Sequence, residues 1–127
     1  MRILSCSILA AVAALSLSAC KKSSTPTCPR SFADLKGTGV QTCSCTGGSE
    51  QSGSVYGTDL YTTDSSICSA AKHAGVIDKT GNVSVAEAPG CDHYVGSARN
   101  GVTTVGWDSY PKSFYFTSKP QPACPGK

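Results

Sequence analysis

The chain has 127 residues, which suits one compact domain, because a second domain would be too small to bury a core. Its formal charge is +3, but three of its 11 basic residues precede residue 28, which leaves eight basic residues against the 8 acidic ones. A neutral domain lacks the basic excess that drives nucleic-acid binding, so no nucleic-acid partner is expected.

The N-terminus has the features of a signal peptide. Its first two residues supply a positive charge, and the apolar stretch over residues 3–17 is too short for a permanent membrane helix. The run Leu17-Ser18-Ala19-Cys20 resembles the bacterial lipobox, in which the cysteine receives a diacylglyceryl group before cleavage. We expect residues 1–19 to be removed and an acylated, palmitate-bearing Cys20 to anchor the protein to a membrane.

The segment after this cysteine offers no aliphatic or aromatic side chain that could offset the entropy of ordering. We expect residues 20–27 to form a flexible tether and residues 28–127 to form a single domain. The expected location is the bacterial cell envelope, facing the periplasm or the cell surface. Lys21 stands where enteric lipoproteins of the inner membrane carry aspartate, which favours the outer membrane.

Short strands and loops are expected in the first part of the domain. Residues 28–54 are rich in Gly, Ser and Thr and show no helical periodicity. A turn signal over residues 57–59 lies between strand-forming residues, which predicts a short hairpin or a bent strand.

One helix is expected, beginning at Asp64 or Ser65, either of which can cap free backbone N–H groups. Gly75 supplies its C-terminal stop. Its apolar residues recur at the spacing of one helical face and are Ile67, Ala70, Ala71 and Ala74. Because this face is mostly alanine, other backbone can approach it closely, and we expect the helix to lie inside the domain.

The remainder predicts β-structure. Residues 82–88 alternate with period two, as in a half-buried strand, and Asn100-Gly101 is a strong signal for a type I′ hairpin. Further strands are expected at residues 94–95, 102–107 and 113–117. The proline-rich residues 118–127 predict a coil held by Cys124. One short helix among several strands indicates an α+β domain.

Six cysteines remain after the signal peptide and the anchor are set aside. An even number in a small exported chain predicts three disulfides, for which fifteen pairings are open. The six are Cys28, Cys43, Cys45, Cys68, Cys91 and Cys124. The alternative is a metal site on Cys43 and Cys45 with His73 or His93, but a single C-x-C lacks the second spaced pair of a zinc site. We therefore expect neither a metal nor a cofactor.

The segment around the helix resembles the signature Y-x-x-x-S-x-x-C-x-A-A-x-H-x-G of the LCCL domain family. The matching residues are Tyr61, Ser65, Cys68, Ala70, Ala71, His73 and Gly75. Similarity extends over roughly residues 28–117. It implies a central helix wrapped by β-structure, and it implies the pairs Cys28–Cys43 and Cys45–Cys68. Cys91 and Cys124 depart from the common family pattern and are left to each other.

Members of this family are non-catalytic modules of extracellular proteins, with a suggested role in recognising microbial surface components such as lipopolysaccharide. No catalytic residues are expected here either. His73 is interpreted as a structural imidazole that bonds to backbone. In Cys91-Asp92-His93 the adjacent side chains point in different directions, so they cannot form a relay.

The turn-rich segment supplies the candidate ligand residues, because exposed polar and aromatic groups in loops are available to partners. They are Tyr94, Arg99, Asn100 and Trp107. We expect a membrane-anchored binding or structural module that recognises an envelope glycan, a lipid such as lipopolysaccharide, or a protein. The alternative is an envelope enzyme such as a glycan hydrolase, which needs two carboxylates ~5–10 Å apart in one concave site.

Overall fold

The computed structural model describes residues 25–126. Its elements are β1 (Gln41–Cys45), β2 (Gly57–Thr58), β3 (Leu60–Thr62), α1 (Ile67–His73), β4 (Gly81–Pro89), β5 (Ala98–Arg99), β6 (Val102–Thr103) and β7 (Lys112–Phe116). Five strands form an antiparallel sheet in the order β1-β4-β7-β3-β2, and β5 pairs with β6 in a separate hairpin. The α+β class is confirmed. The predicted signal peptide and Cys20 lie outside the described residues.

The central strand β4 pairs with β1 on one side and with β7 on the other. Val83 and Val85 are buried in the cluster that contains the helix, as the alternation predicts. Toward the end of the strand the pattern reverses, since Glu87 is exposed and Ala88 is buried. The reason is a second apolar cluster, in which Ala88 packs with Tyr94 and other buried side chains. The sheet is thus covered by apolar side chains on both faces.

The helix begins later than predicted, because one of the residues expected to cap it makes another bond. Ser65 Oγ accepts the N–H of Tyr56 at 2.9 Å and so fixes the chain before the helix. Ser66 is the cap, and its Oγ accepts the N–H of Ser69 at 3.3 Å. The prediction of Asp64 or Ser65 at this position is therefore wrong.

The helix is wrapped by the rest of the domain. Its four predicted core residues are buried, and they are Ile67, Ala70, Ala71 and Ala74. It ends at His73, and Gly75, two residues further on, has a φ of 75° and donates its N–H to Lys72 O at 3.1 Å. Val76 N–H bonds to Ala71 O at 2.9 Å, which completes a Schellman-type end.

The hairpin of β5 and β6 turns through Asn100 and Gly101. Their φ angles of 51° and 77° are both positive, as a type I′ turn requires, so the predicted hairpin is confirmed. The Asn100 side-chain amide donates to the carbonyl oxygen of His73 at 2.9 Å. This bond fixes the hairpin to the C-terminal end of the helix.

The six described cysteines form three disulfides, which are Cys28–Cys43, Cys45–Cys68 and Cys91–Cys124. The first two are the pairs that the resemblance implies, and the third joins the two cysteines left over. The second disulfide joins β1 to the helix, and the third fixes the C-terminal coil.

The N-terminal edge of the fold begins before the predicted domain boundary at residue 28. Ser44 N–H donates to Pro26 O at 2.7 Å, and Cys28 N–H donates to Ser44 O at 2.8 Å. Residues 26–28 therefore run alongside β1, and Thr27 pairs with Ser44. Among the described residues, no helix is long and apolar enough to cross a bilayer.

Candidate functional site

His73, the last residue of α1, is buried against β3 and the segment before the β5–β6 hairpin. Its Nδ1 bonds to the Tyr61 hydroxyl at 2.9 Å, and its Nε2 lies 3.1 Å from Ser97 Oγ and 3.2 Å from Ser97 O. Burial lowers the pKa of His73, because the charged imidazolium is poorly solvated there, and burial raises the pKa of Tyr61 for the corresponding reason. These contacts agree with the structural role expected for His73.

The contact between His73 and Ser97 was not anticipated, because 24 residues separate the two in sequence. It resembles a nucleophile and base, but the other ring nitrogen faces a tyrosine hydroxyl, where a Ser-His-Asp triad has a carboxylate. Ser97 Oγ also lies 2.6 Å from Thr58 Oγ1, within a hydroxyl network. These contacts therefore fit a structural role for His73 and Ser97 better than a nucleophilic mechanism.

The four candidate ligand residues do not form one site. Tyr94 is buried, and its hydroxyl accepts the N–H of Cys91 at 3.0 Å and bonds to Ser113 Oγ at 2.6 Å. Its hydroxyl and ring are not available to a ligand, so the prediction of Tyr94 as a ligand-binding residue is wrong. The Asn100 side-chain amide already donates a hydrogen bond to the carbonyl oxygen of His73 at the end of the helix. Arg99 and Trp107 remain exposed, at different places on the surface.

Trp107 belongs to an exposed surface that we call the edge patch, formed by Tyr56, Val105 and Trp107. Val105 pairs in parallel with Tyr56, which places their side chains on the same side, and Trp107 lies two residues further along the extended chain. The rings of Tyr56 and Trp107 meet edge to face with centroids 5.1 Å apart. Val105 is 49% exposed and Trp107 is 50% exposed. The edge patch is an apolar surface open to a partner.

Arg99 lines a different feature, which we call the tail cleft. This cleft of about 270 Å³ lies between Asp59, Arg99, Tyr115 and the C-terminal segment that carries Lys119 and two prolines. Arg99 Nη1 bonds to Asp59 Oδ1 at 2.9 Å, so both charges are held at the wall of the cleft. The cleft was not predicted, because residues from four separate parts of the chain form it.

Three carboxylates of the described residues line three separate clefts. Asp59 lines the tail cleft, Asp92 lines a second cleft beside the Cys91 turn, and Glu87 lines a third beside the loop that precedes β1. Each of these three clefts has one carboxylate in its wall. None of them offers the carboxylate pair that glycoside hydrolysis requires.

Glu50 is a buried carboxylate that the sequence interpretation missed. Its Oε1 accepts the Thr46 N–H at 2.6 Å, the Thr46 hydroxyl at 2.5 Å and the Gly48 N–H at 3.3 Å. Bonds from Thr46 lower the pKa of Glu50 to about 2, so the group stays ionised. Its role is to close the loop after β1.

The proposed alternative of a metal site does not fit the cysteine chemistry. Cys43 and Cys45 belong to two different disulfides, and disulfide sulfurs are not the thiolates that bind zinc. Both nitrogens of His73 face Tyr61 and Ser97. The two disulfides lie close together, with Cys28 Sγ 3.8 Å from Cys45 Sγ.

Comparison with known proteins agrees with this fold of one wrapped helix and a disulfide-linked sheet. The profile of the LCCL domain family matches residues 18–114, and the chain belongs to this family. Vitrin of Homo sapiens is 42% identical over 69 residues, which are 53% of this chain and 10% of vitrin. The human "Cysteine-rich secretory protein LCCL domain-containing 2" is 50% identical over 50 residues, which are 38% of this chain and 10% of that protein. The chain thus spans about one tenth of the length of these relatives.

Proposed function

We propose that this protein is a membrane-anchored, non-catalytic binding module of the bacterial cell envelope, which recognises a glycan, a lipid or a protein through the edge patch. The observation that carries the proposal is the half-exposed indole of Trp107 beside the half-exposed Val105. Within the described residues, three of the four exposed large hydrophobic side chains lie between residues 95 and 107. Such clusters mark interaction surfaces, and tryptophan in particular combines a large apolar face with an N–H donor.

The position of the edge patch supports a partner other than the anchoring membrane. The tether enters beside β1, at one edge of the sheet, whereas Tyr56 adjoins β2 at the opposite edge. Residues 21–25, between the predicted anchor and the first paired residue, reach about 18 Å at ~3.5 Å per residue. The domain would stay near the membrane while its edge patch points away from the tether.

The enzyme alternative receives less support. A glycan hydrolase needs two carboxylates in one concave site, and each of the three described clefts has one. The histidine that a nucleophilic mechanism would need is buried and engaged on both nitrogens. Binding is therefore the function that the geometry favours.

Ligand arrays test the proposed binding role. Full-length protein in detergent should bind a defined subset of envelope glycans or lipids, or capture a defined envelope protein, and Trp107→Ala should remove that binding. Val105→Ala should weaken binding, whereas Val40→Ala changes a valine of 62% exposure outside the patch and should leave binding intact. Full binding by Trp107→Ala would contradict the role of the edge patch.

Membrane fractionation tests the anchor. Cys20→Ser should release the protein from the membrane fraction, because the two or three acyl chains on this residue supply the attachment. Cys6→Ser is the matched control, since it changes a cysteine within the predicted signal peptide, and it should leave attachment unchanged. Retention of Cys20→Ser in membranes would overturn the lipoprotein assignment.

A further inference from the structure

The tail cleft combines the family domain with a segment that lies beyond it. The family match ends at residue 114, whereas one wall of the cleft consists of Lys119, Pro120 and Pro122. The opposite wall carries Asp59 and Arg99. The C-terminal segment thus adds a concave surface to the matched domain.

Two cations stand at fixed positions in this cleft. Asp59 holds the Arg99 guanidinium at 2.9 Å, and Lys119 Nζ donates to the Ala74 carbonyl oxygen at the end of the helix. A guanidinium has five N–H donors and an ammonium has three, so each group keeps donors for a ligand. With Asp59 included, these charged side chains carry a net charge of +1, which favours a ligand with a negative charge.

The remaining surface of the cleft suits a small ring. Tyr115 is half-buried, and together with the two prolines it offers flat apolar surface. A volume of about 270 Å³ lies just below the ~300–1,000 Å³ of pockets for drug-sized ligands, so a single ring is a better match than a long chain. The pair of Asp59 and Arg99 places an acceptor beside a donor, which matches neighbouring hydroxyl groups on one ring.

We propose that the tail cleft binds one anionic sugar residue. Arg99 and Lys119 face its carboxylate or phosphate, Asp59 accepts from a hydroxyl group, and the ring lies against Tyr115. This inference rests on the proposed binding role, and it adds a ligand class and a second site to it.

The third disulfide gains a role from this site. Cys124 follows Pro122 by two residues, and its bond to Cys91 fixes the end of the segment that forms the wall. Without this bond the segment loses its covalent link to the turn at Cys91. The disulfide that the common family pattern lacks is thus the one that holds the added wall in place.

Isothermal titration of the full-length protein in detergent tests the site with four probes, which are glucuronate, glucose 6-phosphate, glucose and inorganic phosphate. At least one of the two anionic sugars should bind more tightly than glucose and inorganic phosphate. Arg99→Gln and Lys119→Gln should each weaken that binding about tenfold or more, since each removes a charge-assisted hydrogen bond. Lys112→Gln is the matched control, because Lys112 pairs with Glu87 at 3.3 Å outside the tail cleft, and it should leave the affinity unchanged.

Two further variants separate the proposed contacts from folding. Lys119→Arg keeps the cation and should retain most of the affinity, so loss in both Lys119 variants would overturn the proposed contact. The double variant Cys91→Ser with Cys124→Ser should weaken sugar binding while the thermal transition of the domain persists. Unchanged affinity in that variant would overturn the role of the third disulfide.

The remaining outcomes also decide the question. Glucose or inorganic phosphate binding as tightly as the anionic sugars would overturn the ligand class, and absence of binding by all four probes would overturn the site. If a sugar binds but only Trp107→Ala weakens it, the inference about the tail cleft fails while the proposed binding role stands. If the cleft variants alone weaken it, the site stands and the edge patch loses its role.

Discussion

The imidazole of His73 bonds to Tyr61 through one nitrogen and to Ser97 through the other, with no exposure to solvent. A buried neutral histidine links stability to pH, because its pKa is lowered in the folded state while the unfolded value stays near ~6.5. Below that pH the unfolded chain binds more protons than the folded one. Protonation of His73 therefore favours the unfolded state.

We expect the free energy of unfolding to fall as the pH decreases through the unfolded value of ~6.5. His73→Gln should be less stable at neutral pH but should lose most of this pH dependence, whereas His93→Gln, at an exposed site, should retain it. Glu50 acts in another window, since its stabilising charge is lost only as the pH falls from its ordinary value of 4.5 toward about 2. Urea denaturation across the pH range measures both, and a flat profile would contradict the argument.

The Tyr61→Phe variant tests the hydrogen bond between the Tyr61 hydroxyl and His73 Nδ1. Removal of the hydroxyl leaves His73 Nδ1 buried without its partner, which costs about 1–3 kcal/mol of unfolding free energy. Tyr110→Phe changes a half-buried tyrosine in the second apolar cluster and serves as the control. Equal stability of the two variants would show that the bond to His73 contributes nothing.

Among the elements, the helix gives the most direct test of packing. Ala71 has no exposed surface, so Ala71→Leu adds three heavy atoms where other atoms already lie in contact. We expect a loss of ~1–3 kcal/mol or more, whereas Lys72→Ala, one residue along, should be close to neutral. Equilibrium unfolding with the disulfides intact compares the two, and an unchanged Ala71→Leu would mean that the helix is not tightly wrapped.

Local patterns predicted most of the elements, because their causes lie within a few residues. The alanine stripe, the Asn100-Gly101 turn and the stop at Gly75 each need only local geometry. The cap moved to Ser66 because Ser65 bonds to Tyr56, a contact that depends on tertiary structure. Local patterns therefore predict turns and the buried face of a helix, but they do not predict which hydroxyl caps the helix.

The candidate site was harder to predict for the same reason. Exposure of Trp107 agrees with expectation, but Tyr94 is buried because it packs in the second apolar cluster, where its hydroxyl bonds to Ser113 Oγ. The tail cleft brings Asp59, Arg99 and Lys119 together from three parts of the chain. The positions of these three residues in the sequence do not indicate that they lie close together in the fold.

For the whole molecule, the three disulfides differ in accessibility. Cys43, Cys45 and Cys68 are at most 1% exposed, whereas Cys124 is half-buried near the C-terminus. Exchange with a dithiol requires access to sulfur, so the Cys91–Cys124 bond should open first under mild reduction of the native protein. Alkylation of the released thiols followed by peptide mapping identifies the order in which the disulfides open. Labelling of Cys43 or Cys68 before Cys124 would contradict it.

The close approach of the other two disulfides has a consequence for biogenesis. Cys28 Sγ and Cys45 Sγ are 3.8 Å apart, so a chain that oxidises while it collapses has a non-native bond within easy reach. That isomer would leave Cys43 and Cys68 as thiols beside a nearly correct fold. An oxidant alone would preserve the non-native disulfide. Attack on it by the thiolate of Cys43 or Cys68, or by a disulfide isomerase, would be needed to form the native pairs. Maturation of this protein should therefore depend on isomerisation as well as on oxidation.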